Sequence, residues 1–165
     1  MATKKILGID PGTGICGFGV VEFTTHKRPH MVTAGVIATP AHTPLADRLL
    51  DIFDSLTQII DETHPDEVSI EKLYFNQNIT TGISVAEARG VALLVARQHN
   101  IPIYEYTPIQ IKQCMTGYGR ANKKQMQEMV RQYLNMKDIV RPDDAADALA
   151  AAITHAMMSQ IQCRM

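Results

Sequence analysis

The apolar positions of this chain change their period several times, and each change marks an element. Lys5–Asp10 (KILGID) is an apolar run that closes on a carboxylate, which predicts a buried strand, and Pro-Gly-Thr-Gly at 11–14 supplies a tight turn after it. Cys16–Thr24 (CGFGVVEFT) and Met31–Thr39 predict two more strands, joined by a hairpin connection over Lys27–His30. Gly17 and Gly19 weaken an ordinary strand, so they predict the close approach of another backbone. Leu45, Leu49, Ile52, Phe53, Leu56, Ile59 and Ile60 recur at helical spacing, with Pro44 suited to the first turn and Thr43 to the cap. Glu67–Glu71 (EVSIE) then predicts a short strand, Ser84–His99 a largely buried Ala- and Val-rich helix, and Ile101–Tyr106 a further strand. Pro108–Met115, Lys123–Leu134 and Asp143–Met158 read as helices, with a glycine-containing loop over Thr116–Asn122. A three-strand meander followed by alternating helices and strands implies a mixed five-stranded sheet covered by helices on both faces.

The length, 165 residues, predicts one compact domain over 1–165. No apolar run approaches the roughly 18 residues that span a bilayer. The start, MATKKILGID, lacks the apolar stretch and cleavage site of a secretory signal, so the expected location is the cytoplasm, away from membranes. Cys16, Cys114 and Cys163 are odd in number and far apart, a spacing from which neither a disulfide framework nor a zinc site follows.

A net charge of −1 looks wrong for a binder of polyanions until it is divided along the chain. Residues 1–71 hold five basic groups against ten acidic ones, whereas residues 72–141 hold ten basic groups against four acidic ones. That asymmetry predicts one polyanion-facing surface on an otherwise neutral body.

The acids carry the chemistry. Asp10 and Glu71 each end a strand, at the sheet edge where open sheets bind their ligands. Asp144 and Asp147 lie three apart in RPDDAADALAAA, about a turn apart on one helical face, and Asp143 stands four before Asp147. A helix dipole accounts for acids in the first turn, but less well for Asp147, where the face is otherwise packing. Hard divalent ions, magnesium above all, take carboxylate oxygens together with water and phosphate oxygens. Two such ions about 4 Å apart activate a water and stabilise the leaving 3′ oxygen of a phosphodiester. Two strand ends and one helix offer the parts of that arrangement.

In this ordered set the chain resembles the bacterial RuvC-type Holliday junction resolvases along nearly its whole length. ILGIDPGTGICGFGVVE is similar to the first strand, turn and second strand of that family, with Asp10 at its first acid; VSIEKLYF places Glu71 at the second. EARGVALLVA resembles the next helix, and DAADALAAAITH matches the last motif, with Asp144 and Asp147 at the remaining acids. IKQCMTGYGRANKKQM is similar to a stretch whose lysines contact DNA, at Lys112 and Lys123, with Arg120 and Lys124 as neighbouring candidates. Tyr74, with Phe75 beside it, holds the place of an aromatic that inserts near the junction centre. The resemblance implies an RNase H-like fold and a homodimeric, magnesium-dependent endonuclease. It would nick four-way DNA junctions symmetrically and work with branch-migration proteins of the RuvAB type. The expected reaction is hydrolysis without a covalent intermediate, Asp10 bridging two magnesium ions, with manganese as the alternative ion.

Three rival readings remain at this point. IDPGTGICGFG also looks like the phosphate loop of actin-like and sugar-kinase ATPases, but those need two such domains and more than twice this length. A junction-binding scaffold gains nothing from clustered, mutually repelling acids. A relative of the same fold that cuts another structured nucleic acid, such as RNA, is separated only by substrate preference.

Overall fold

A computed structural model describes residues 3–24, 27–73 and 79–162. The elements run β1 (Thr3–Asp10), β2 (Ile15–Thr24), β3 (His30–Ala38), α1 (Leu45–Thr63), β4 (Glu67–Glu71), α2 (Ile79–Gln98), β5 (Ile103–Tyr106), α3 (Pro108–Thr116), α4 (Lys123–Tyr133) and α5 (Asp143–Gln162). The strands form one sheet in the order β3-β2-β1-β4-β5. β1 is antiparallel to β2 and parallel to β4, and β4 is parallel to β5, so the sheet is mixed as the alternation implies.

Strand periodicity divides the core into two layers. Leu7, Ile9, Val20, Val68 and Ile70 pack with Ile52 and Leu56 of α1 and with Ala88, Ala92 and Val95 of α2. The alternate positions Ile6, Val21 and Phe23 pack with Leu149, Ile153 and the alanines of α5, together with Ile111, Met115, Met126 and Val130 of α3 and α4. Side chains two apart on a strand point the same way, so Asp10 shares a face with Ile6 and Gly8, and Glu71 with Glu67 and Ser69. Both acids therefore face α5.

The ends of several elements differ from the sequence expectation. Pro44 is itself the cap residue of α1 and no side chain caps that helix; Thr43 instead closes a turn, its N–H donating to the Pro40 carbonyl at 3.2 Å. α2 starts at Ile79 rather than Ser84, and α5 runs to Gln162 rather than Met158. Thr80, Thr81 and Gly82 have weak helix propensity, which hides the first turn of α2 from a composition reading. β5 is confined to Ile103–Tyr106, because the Ile101 N–H still closes the turn that follows α2, donating to the Ala96 carbonyl at 3.0 Å. α3 and α4 each begin in a reciprocal capping box, Thr107 with Gln110 and Asn122 with Gln125. Asn122 thus ends the glycine loop and fixes Lys123 as the first residue of α4.

Candidate active site

Three glycines let α5 come down onto the sheet. A Cβ built on Gly8 would lie 1.9 Å from the Ala148 carbonyl oxygen, and one on Gly17 would lie 2.1 Å from that of Asp144. A Cβ on Gly19 would lie 2.6 Å from Leu149 Cγ. Gly17 pairs with Asp10 and Gly19 with Gly8 across the β1–β2 ladder, so the trough runs directly beside the acid of β1. The close backbone approach expected at Gly17 and Gly19 is thus the docking of the acid-bearing helix.

The turn after Asp10 is pinned as well. Thr39 Oγ1 donates to the Thr13 carbonyl and accepts from Arg48 Nε at 2.9 Å, and Thr13 Oγ1 reaches Ser84 Oγ at 3.3 Å. A loop held at β3, α1 and α2 leaves the Asp10 carboxylate little freedom to retreat from its neighbours.

Those neighbours are like charges. Burial, and then the carboxylates of Asp147, Glu71 and Asp144, push the Asp10 pKa up to about 7. Burial also raises Glu71, with Asp147 adding to the shift and Lys112 opposing it. Asp147 is raised first by burial and further by Asp144 and Asp143, while Lys123 pulls the other way. All four predicted acids meet at one end of the sheet. Among the described residues no three ligating side chains converge tightly enough to hold a metal. Like charges repel, and Lys112 and Lys123 offset that repulsion only in part. The donor set is nonetheless all oxygen and short of cations, which is what hard divalent ions require.

Asp143 stands apart from this group. Its oxygens accept from Lys123 Nζ at 3.2 Å, Arg141 Nη1 at 2.7 Å and Gln127 Nε2 at 2.7 Å. The bond from Lys123 above all holds its carboxyl below the ordinary range. Its charge is balanced by two cations, whereas Asp147 has only the more distant Lys123 at 3.8 Å and its pKa is raised on balance.

Lys112 and Lys123 line the same cleft as Glu71 and Asp147, a space of about 250 Å³. The Lys123 ammonium lies 3.8 Å from Asp147 as well as beside Asp143, so it already serves the acids as a counter-charge. Lys124 is exposed in a neighbouring cleft with Tyr118 and Glu128, and Arg120 is exposed on the glycine loop. Tyr74 and Phe75 lie outside the described residues. Several of the basic groups of 72–141 are held in ion pairs, Arg89 with Glu105 at 2.8 Å, Arg131 with Glu128 at 2.5 Å and Arg141 with Asp143. A larger cleft of about 730 Å³ opens at the opposite end of the sheet, around Arg28, Arg131, Met136 and Met157, away from the acids.

Sequence reading overlooked one polar group. His155 is buried and bonded to Glu67 at 2.9 Å and to the Tyr106 hydroxyl at 2.7 Å, and Glu67 is also paired with Lys4. The available signal was Glu67 itself, an acid opening the strand EVSIE with the same parity as Glu71.

A mixed sheet in this order, with acids from two strand ends and a helix gathered at one edge, defines an RNase H-like enzyme. The chain belongs to the family described as crossover junction endodeoxyribonuclease RuvC, whose model matches residues 6–155. It is 51% identical over 160 residues to a protein of that name from Desulfitobacterium hafniense, covering 97% of this chain and 96% of the relative. To the Thermotoga maritima protein of the same name it is 47% identical over 160 residues, covering 97% and 95%. It superposes on T. thermophilus RuvC, solved in complex with Holliday junction substrate, with a TM-score of 0.91, 31% identity and 96% of both chains covered. Among the described residues no helix is long and apolar enough to cross a membrane.

Proposed function

We propose that this protein is a structure-selective endodeoxyribonuclease of the cytoplasm that resolves four-way DNA junctions during recombination and repair. The whole chain acts as a single RNase H-like domain. The observation that carries the reading is the set of under-neutralised acids facing Lys112 and Lys123 across one cleft.

Asp10, Glu71, Asp144 and Asp147 would hold two magnesium ions, with manganese as a substitute. Bound there, the ions supply the Lewis acidity that activates the attacking water and stabilises the leaving oxygen. Asp10 stands centrally enough to feel all three other acids, which suits it to a shared ligand. Water oxygen bonds to phosphorus and the P–O3′ bond breaks. The cut strand is left as two fragments, one bearing a 5′ phosphate and the other a 3′ hydroxyl whose proton balances the one released by the attacking water. Lys112 and Lys123 hold the scissile phosphate, and Asp143 keeps Lys123 at the edge of the cleft. Arg120 and Lys124 extend the backbone contact, and Tyr74 and Phe75 stack on bases at the crossover.

Two such sites on one junction require a homodimer. The exposure of Ile83 and Leu94 on α2, and of Leu50 on the α1 helix packed against it, supports a protein-covered surface on these helices. Branch-migration proteins of the RuvAB type are the expected partners.

The deciding experiment incubates the protein with a synthetic four-way junction, with and without magnesium, beside linear duplex and structured RNA. Paired symmetric nicks that need both junction and metal are the expected result; equal cutting of RNA or linear duplex would overturn the reading. Replacing both Lys112 and Lys123 with Ala should weaken junction binding and flatten the slope of log affinity against log salt by about 2, since each phosphate contact contributes about 0.9. A titration at several salt concentrations checks this, and an unchanged slope would remove both lysines from the interface.

A further inference from the structure

We propose that Glu67, Ser69 and His155 are positioning residues that set the spacing of Glu71 against Asp147. The inference rests on the proposed metal-dependent cutting and adds residues that touch neither the metal nor the substrate.

β4 and α5 run antiparallel and meet in three rungs. Glu67 accepts from His155 Nε2 at 2.9 Å, and Ser69 Oγ donates to the Ala151 carbonyl at 2.7 Å. Glu71 and Asp147, the third pair, line the same cleft. The strand positions are two apart and the helix positions four apart. Two strand residues advance about 6.6 Å and four helical residues about 6 Å, so the ladder stays in step along its length. Two closed rungs at one end thus determine where the open rung, made of two repelling acids, comes to rest.

The closed rungs are built to stay in place. Glu67, Ser69 and His155 are 6%, 0% and 3% exposed, so each bond is made away from competing water. The imidazole is held from three sides, by Glu67, by the Tyr106 hydroxyl at 2.7 Å and by the Tyr104 ring stacked 4.0 Å away. Lys4 pairs with Glu67 and balances its buried charge. Burial lowers the His155 pKa despite the acid beside it, which fits a neutral ring: Nε2–H donates to Glu67 and Tyr106 O–H donates to Nδ1. Both bonds depend on the register of α5, and a slip of one residue breaks them together. Repulsion between Glu71 and Asp147 pushes against that register, so the acids do not hold it themselves.

The test uses the full-length protein with His155→Ala, Ser69→Ala, the donor-keeping His155→Gln, and Leu56→Ala in the opposite core layer. Three quantities are read well below every melting temperature: junction affinity without metal, single-turnover cutting, and magnesium affinity of the DNA-free protein by calorimetry. A displacement of about 1 Å at a reacting centre costs on the order of 10²-fold. His155→Ala and Ser69→Ala should therefore slow cutting by about 10- to 100-fold and weaken magnesium binding, with junction affinity unchanged. His155→Gln should recover most of the loss, and Leu56→Ala should keep both quantities despite a comparable drop in melting temperature. Wild-type magnesium affinity and cutting in His155→Ala and Ser69→Ala, or an equal loss in Leu56→Ala, would overturn the proposal. Should the wild type not cut junctions at all, the functional reading fails, while the magnesium affinities still decide the positioning role.

Discussion

Replacing Asp10 with Asn should abolish junction cutting while leaving junction binding intact. Asn keeps the shape of the side chain but removes a buried carboxylate that interacts with all three other acids. Loss of a proposed metal ligand would remove more than a single hydrogen bond's worth of stabilisation. A fall of at least about 10³-fold in the cutting rate is expected, in the range of losing a principal electrostatic stabiliser. Single-turnover cleavage and a metal-free binding assay check the two halves, and retained cutting would sink the assignment of Asp10.

The same variant carries a stability signature of opposite sign. The Asp10 pKa is raised to about 7 in the fold, whereas an unfolded Asp titrates near 3.9. Below the unfolded value both states are protonated and the group contributes nothing to pH dependence. As pH rises from there to about 7, the unfolded chain releases its proton while the fold retains it, and stability is lost. Three pKa units correspond to roughly 4 kcal/mol at most, and partial exposure brings a realistic figure to about 2 kcal/mol. Asp10→Asn should therefore raise the metal-free melting temperature by about 4–8 °C in mild alkali and by little in acid. Magnesium should stabilise the wild type, chelation should remove that gain, and the variant should respond weakly to either. A melting temperature in mild alkali that is unchanged by the substitution would mean that Asp10 is not held among repelling charges.

Gly17→Ala should damage both stability and cutting. The added carbon would lie 2.1 Å from the Asp144 carbonyl oxygen and 2.5 Å from its carbon, and both are backbone atoms of a helix that can yield only by moving as a body. Overpacking of this kind costs about 1–3 kcal/mol, or roughly 2–10 °C of melting temperature in a chain of this size. The first turn of α5 would be lifted from β2, taking Asp144 and Asp147 away from Asp10, so cutting should fall by about 10²-fold even where the protein remains folded. Gly90 provides the contrast, since a Cβ there meets nothing within 4 Å. Gly90→Ala should stabilise the chain by about 0.5–1 kcal/mol through helix propensity. Thermal melts and cleavage rates of both variants check the pair; a Gly17→Ala protein with normal cutting would show that helix docking does not set the acid geometry.

Most of the fold and the acids of the site were legible in the sequence because they depend on local pattern. Strand parity, helical spacing and turn chemistry are properties of neighbouring residues, and they placed Asp10 and Glu71 at strand ends and Asp144 and Asp147 one turn apart. The glycines of β2 announced a close approach, without naming what approaches. Only the tertiary structure decided that it is α5, that Asp143 is paired with both Lys123 and Arg141 while Asp147 shares only Lys123 at a longer distance, and that several of the basic groups are committed to internal ion pairs. The ladder from Glu67 to His155 was invisible for the same reason: its partners are 88 residues apart in the chain. Electrostatics depends on distance through space and on burial, and neither is a property of a residue's sequence neighbours.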